Sequence, residues 1–466
     1  MTGLGLQITP RSAYRAVLAA SLLVMLGANL PGHLSYDSVA QLYEGHFHIR
    51  ETWGPALYAW ILGLFDRVIP GTALYVTVSG LIFFASLASF SDLRPRTSWL
   101  AAPVAALAAL TPQVLIYQAI VWKDIAFANT AIGGLVCLAH AVRLWPSRWP
   151  RWGLLAAALL QLAVASQVRQ NGIIVAFLGA LALGWLAAGR VEGLGRKLRR
   201  GLAWGLGGLV AVGVVGQALT VLSIPPNSPP DAGVKTGLRI VQNYDLIGAA
   251  ALDPHYRLAI MAAADPADTK MVVQRAPLEY SGRRVDFIDR DQALTDALWN
   301  IPAEASTRQW ADLILRHPGL YLRVRWEDFR WVFVPPVIDW CLPVYVGVDA
   351  PAEKMAPLGL AHRYVQSDVQ LANYSSWFLG TPVYSHLFYS VLSLLLAGLF
   401  LWRREPADIV LAALQLAGVG FAASFFIISI ACDYRYLYFT DLAALTGVIY
   451  AAVDPRFRRR RSEAPS

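Results

Sequence analysis

Charge is scarce in this chain. Only 15% of its 466 residues are Asp, Glu, Lys or Arg, against 56% hydrophobic residues and a mean hydropathy of +0.46. That balance excludes an ordinary soluble enzyme and indicates a polytopic membrane protein. Cysteine is nearly absent too. The three present, Cys137, Cys341 and Cys432, show no metal-ligand spacing, and an odd number supplies no disulfide framework, although a Cys341–Cys432 bridge stays open. No P-loop and no glycine-rich strand-to-helix fingerprint is found, which favours a lipid-borne over a soluble nucleotide-linked donor. There is no fixed-period repeat and no long linker, apart from the short tail after Arg458. No small-residue cleavage site follows the first apolar run, so an uncleaved first span is expected.

The net charge of +8 could signal nucleic-acid binding. Its basic residues instead fall in short clusters between apolar runs, as the positive-inside rule requires, so no nucleic-acid partner is expected. A span needs about 20 mostly apolar residues. Segments 13–31, 71–90, 99–118, 125–143, 152–168, 173–189, 202–223, 384–402, 407–430 and 436–453 qualify, giving about ten transmembrane helices. The apolar part of 54–71 is short for a span and is read as lying along the surface. With that choice the loops "LRPR", "RLWPSRWPRW", "GRVEGLGRKLRR" and "WRRE" and the tail "RFRRRR" all become cytoplasmic. The expected fold is therefore an all-α polytopic membrane protein with both termini inside. It comprises a seven-helix module 1–223 with a first external loop 32–70 that carries surface helices, a mostly helical extracytoplasmic domain 224–383, and a three-helix module 384–466. The stretch "TRQWADLILRHPGLYLRVRWEDFRWVF" reads as amphipathic helices near the membrane face.

The external turns concentrate what polar chemistry there is. "LSYDSVAQLYEGHFHIRETWGP", residues 34–55, carries Asp37, Glu44, Arg50, Glu51 and two histidines; "WKD" brings Trp122, Lys123 and Asp124; "SQVRQNG" brings Arg169 and Asn171; "CDYRYLYF" brings Arg435 and Tyr436. A charge at membrane depth costs roughly 2.5–3.5 kcal/mol on insertion scales, so such residues normally face a cavity and have a function. Taken singly, Lys123, Arg169 or Arg435 reads equally as a cation snorkelling to headgroups. Taken together they suit a phosphate or pyrophosphate. Asp37 in "SYDS" could be part of a helix N-cap, or a base that takes a proton from an incoming hydroxyl. His46 and His48 do not share a helix face, lack a third ligand, and are read as loop histidines, not as a zinc site.

This arrangement resembles the GT-C superfamily of integral membrane glycosyltransferases, which holds protein O-mannosyltransferases and the lipid A aminoarabinose transferase. The resemblance rests on Asp37 soon after the first span, "WGPALY" from Trp53 to Tyr58 where many members have an "HPPL"-like element, Asp124 after the third span, a large loop after the seventh, and Arg435–Tyr436 near the last. Gly54 stands where the motif has histidine, no second carboxylate adjoins the acidic residue, and the usual prolines after "RY" are missing.

The resemblance implies transfer of a sugar from a polyprenyl-phosphate donor to a lipid, glycan or protein acceptor outside the bilayer, in a bacterial inner membrane. Asp37 would be the base, with Lys123, Arg169 and Arg435 neutralising the leaving phosphate. Asp124 would position Lys123, bind the sugar, or join Asp37 around a divalent cation such as Mg, Mn or Ca. Asn171 and Tyr436 would contact substrate, and Trp53 and Trp122 would stack on a sugar ring. A transporter or flippase, a ligase or phosphotransferase for lipid-linked glycans, and a noncatalytic envelope-assembly protein remain as rival readings. Clustering of charge at one face and the lack of a repeat weigh against the transporter.

Overall fold

The computed structural model describes residues 8–456 apart from Trp53, 227, 229–231, 285–287 and 289. Among the described residues the chain is helical, with isolated β-bridges and no strand. Among the described residues nine helices are long and apolar enough to cross a membrane, and one bent pair makes a tenth candidate. The chain divides into two compact units, one of 1–228, 344–421 and 438–466, the other of 229–343 and 422–437.

The first unit holds the spans Pro10–Asn29, Ala73–Leu93, Lys123–Arg143, Arg148–Val168, Gln170–Ala188, Leu194–Ser223 and His386–Arg403, together with most of Pro406–Ile428 and Tyr434–Val453. Small residues let these helices approach closely, because apolar side chains gain little from leaving lipid for a protein interior and backbone packing must supply the attraction. A Cβ added to Gly184 would lie 2.7 Å from the Gly201 carbonyl oxygen. The segment read as one span, 99–118, is instead Ala101–Ala109 followed by Pro112–Ala119, bent by 74°. Pro112 has no N–H to continue the first helix and forces Thr111 into an extended conformation (φ −67°, ψ 146°).

The surface reading of 54–71 fits the helix Ala56–Val68, whose 13 residues are too few to cross a bilayer core of about 30 Å. It lies against Tyr36–Phe47, where a Cβ on Gly45 would collide with the Ala59 carbonyl oxygen. His46 is helical, not a loop residue: it occupies the last turn of Tyr36–Phe47, and its Nδ1 meets Asp66 Oδ2 at 2.5 Å. His48 forms the left-handed C-cap of the same helix. Away from this region, Arg94 pairs with Asp408 and Glu405, and Tyr450 donates to Asp408 Oδ1 at 2.9 Å, joining the ends of three helices through buried charge.

The second unit packs Ala232–Leu252, Ala259–Ala264, Pro266–Glu279, Gln292–Asn300, Ala303–Arg316 and Pro318–Phe333 around a core that includes Tyr244, Ile247, Leu294, Leu313 and Val324. Asp265 and Asp291 cap two of these helices by accepting from the amides of Asp268 and Leu294, the usual remedy for the unpaired N–H groups of a first turn. Of the polar segment 224–383, residues 229–343 lie in this unit and 224–228 and 344–383 in the first.

Cys341 and Cys432, 91 residues apart, form a disulfide, and Cys137 is free. A maleimide-polyethylene glycol reagent added to denatured, unreduced protein is therefore expected to label one cysteine, rising to three after reduction. Three labels without reduction would contradict the bridge.

Candidate functional site

The site begins with how two helices start. Ser35 precedes Tyr36–Phe47, its backbone amide donating to Ser38 Oγ at 3.2 Å, which leaves Asp37 exposed in the first turn. An acid there is favoured by the positive end of the helix dipole. Trp122 precedes Lys123–Arg143, so Lys123 and Asp124 are its first two residues. The buried Trp122 indole donates to Ser35 Oγ at 2.8 Å, which ties the two helix starts together. The Trp122 ring also packs edge-on to Tyr117 and against Tyr345, so it is enclosed by protein and fixes geometry.

Asp124 is buried, and its Oδ1 lies 2.8 Å from Arg169 Nη1; the two side chains are 4% and 10% exposed. Arg169 ends the helix Arg148–Val168 in an extended conformation. The turn Gln170–Gly172 then folds back so tightly that a Cβ on Gly172 would sit 2.6 Å from the Ala165 carbonyl oxygen. Only glycine permits that return, and it turns Arg169 toward the start of the neighbouring span. The guanidinium also stands 5.8 Å over the Phe421 ring. Asn171 lies half-buried in the same turn.

The backbone around these residues is held by a cluster the sequence reading did not single out. His33 exchanges backbone hydrogen bonds with Ala119 and Val121, while Leu34 does so with Gly347 and Asp349. The buried His33 ring accepts at Nδ1 from the Gly347 amide (3.0 Å) and from Arg363 Nη2 (3.2 Å), leaving Nε2–H to donate to Asn29 Oδ1 (3.0 Å). Asp368 lies 3.6 Å from Nδ1 and 3.5 Å from Arg363 Nε. Burial first, then the Arg363 charge, pushes the His33 pKa down from 6.5 to about 4, against the weaker opposite pull of Asp368.

A folded-state pKa below the unfolded one contributes stability that is complete above pH 6.5 and lost as pH falls through about 4. At one pKa unit per 1.36 kcal/mol this amounts to about 3 kcal/mol. His33→Gln is expected to remove this acid-labile component from melting curves recorded in nanodiscs between pH 7 and 4.5. Equal pH dependence in wild type and variant would overturn the assignment.

Arg435 and Tyr436 belong to the second unit, where Arg435 Nε pairs with Asp433 Oδ2 at 2.8 Å and Tyr436 stacks on Phe425. Trp53 lies outside the described residues. Asp124 faces the Arg169 guanidinium, and no group of three or more His, Cys, Asp or Glu able to hold a metal occurs among the described residues. Chemically, the site offers an exposed carboxylate, Asp37, and two cations at helix starts and turns, Lys123 and Arg169.

No protein-family model and no curated protein matches the chain. Among solved structures it is similar to the archaeal oligosaccharyltransferase AglB from Archaeoglobus fulgidus in complex with an inhibitory peptide and a dolichol-phosphate, at 12% identity and a TM-score of 0.42, covering 94% of this chain and 50% of that one. The apo form of the A. fulgidus oligosaccharyltransferase gives 13%, 0.43, 94% and 50%. ArnT from Cupriavidus metallidurans bound to undecaprenyl phosphate gives 16%, 0.34, 94% and 77%. The chain thus spans about half the length of the oligosaccharyltransferase it resembles.

Proposed function

We propose that this membrane protein transfers a sugar from a polyprenyl-phosphate donor to an acceptor hydroxyl at the extracytoplasmic face of a bacterial inner membrane, both termini being cytoplasmic. The observation that carries the reading is the Asp124–Arg169 pair, buried where two membrane helices meet and beside Lys123. Buried ionic groups at the ends of membrane helices are costly and are kept where a polar substrate must be met. Dolichol-phosphate and undecaprenyl phosphate, bound in two of the similar structures, belong to the ligand class proposed, but the assignment rests on this chain's own residues.

In the proposed step the acceptor oxygen forms a bond to the sugar C1 as the C1–O bond to phosphate breaks. Asp37 takes the acceptor proton, and the bond electrons leave on the polyprenyl phosphate, whose charge Lys123 and Arg169 neutralise. Asp124 holds the Arg169 guanidinium in place for that task.

The test is mass spectrometry of envelope lipids and polymers in a deletion strain complemented with wild type or Asp37→Asn. Loss of one sugar decoration, restored by wild type and not by the variant at equal membrane levels, is expected. Full restoration by Asp37→Asn would sink the proposed base and bring the noncatalytic reading forward.

A further inference from the structure

The helix Pro318–Phe333 of the second unit buries a charged pair and leaves large apolar side chains exposed. One stripe, at positions 321, 324, 325, 328 and 332, points into the unit and includes Arg325 and Asp328, both 0% exposed. Arg325 is clamped between Asp328 and Asp245, and it donates to the carbonyl oxygens of Ile427 and Ser429 at 2.9 and 3.0 Å. A neighbouring stripe, at 322, 326, 329 and 333, is Leu, Trp, Phe and Phe, spaced four, three and four residues apart, so all four share a face, with Phe329 buried at its inner edge. Leu322 is 51% and Trp326 50% exposed. Soluble helices keep side chains as large and apolar as Leu322 and Trp326 on the buried face.

The apolar stripe is continuous with a membrane-spanning element. Phe329 packs edge-on to Phe426 at 5.6 Å, and Phe426 lies in Pro406–Ile428, a helix apolar and long enough to cross a bilayer. Ile427, beside it, is 55% exposed. Phe333 stacks on Phe329 at 5.1 Å, and the chain beyond keeps the same character, with Val334, Val337, Trp340 and Leu342 all exposed. Cations border this surface: Arg323 is exposed next to Leu322, Arg330 pairs with Glu327, and the Arg283 guanidinium stands 4.7 Å over the Trp340 ring. Apolar area rimmed by Trp and Arg matches the boundary between acyl chains and phosphate headgroups.

We propose that Leu322, Trp326 and Phe333 and the segment 334–342 lie in the bilayer boundary, making the second unit a membrane-embedded element with its own lipid-contact surface. The occupant is phospholipid, whose acyl chains meet the stripe and whose phosphates meet Arg283, Arg323 and Arg330. This placement is independent of the proposed transfer reaction.

Electron paramagnetic resonance tests it on the full chain in phosphatidylcholine–phosphatidylglycerol nanodiscs. Nitroxide labels would be attached at Leu322→Cys, Trp326→Cys and, as a control, Glu304→Cys, whose parent side chain is 76% exposed. The Cys137→Ala background leaves only the disulfide-bonded pair unlabelled. Labels at 322 and 326 are expected to collide with oxygen in preference to a water-soluble nickel chelate, and the order should reverse at 304. Nickel preference at both 322 and 326 would place the stripe in water. Exclusion of both reagents there would mean that protein, a partner or a second copy, covers it. Either outcome overturns the proposal, and Leu322→Cys alone decides it should Trp326→Cys fail to fold.

Discussion

Arg169→Ala is expected to reduce sugar transfer by about 10²–10³-fold, the usual effect of deleting one preorganised group that stabilises developing charge. It should also destabilise the first unit by about 3–5 kcal/mol, because Asp124 would keep its buried position and lose its partner. These two effects are separable. In Asp124→Asn/Arg169→Gln no uncompensated charge remains, so most of the lost stability should return while transfer stays low. A purely structural role for the pair predicts that activity returns with stability. Melting temperature and single-turnover rate, measured on the same nanodisc preparations, distinguish the two. Arg169→Lys keeps the charge but loses the planar fork and should fall between wild type and Arg169→Ala.

Arg325→Met is expected to have the largest effect on the second unit, again about 3–5 kcal/mol for leaving buried charge unpaired. Three groups at 0% exposure depend on one another there: Arg325 faces Asp245 and Asp328, Trp310 donates to Asp245 Oδ2 at 2.7 Å, and Tyr280 donates to Asp328 Oδ1 at 2.8 Å. Two carboxylates share one guanidinium, and burial holds both acids above their ordinary range, Asp245 at about 6. A folded-state pKa raised from 3.8 to about 6 gives stability that is full below pH 3.8 and lost as pH rises through 6. Asp245→Asn still accepts from Trp310 and removes one negative charge. It should therefore be far milder than Arg325→Met at pH 8 and should abolish the acid-side gain. His33, whose contribution is lost in acid, has the opposite sign to Asp245.

The spans and their ends could be read from hydropathy and charge because lipid punishes every unpaired polar group and leaves little choice of structure. The turns bearing Lys123, Asp124 and Arg169 were found the same way, as charges between apolar runs. Their pairing was not legible, since it depends on Gly172 folding the chain back onto Ala165. Pro112 was visible, yet a continuous hydropathy window hides a bend. His33 was missed because its partners Arg363 and Asp368 lie more than 300 residues away and no local spacing announces them. In Pro318–Phe333 both stripes repeat with helical spacing, so periodicity shows two faces without saying which one is buried. Arg325 turns inward because there it satisfies the carbonyl oxygens of Ile427 and Ser429 at a helix end. Helix carbonyls there have no partner of their own.

The central claim is tested most directly by incubating purified protein in nanodiscs with a panel of polyprenyl-phosphate sugars and envelope extract. Free polyprenyl phosphate is then followed by mass spectrometry. The account predicts acceptor-dependent release from at least one donor by wild type, and its loss in Asp37→Asn and Arg169→Ala, both folded by melting. Release unchanged in both variants would contradict the site.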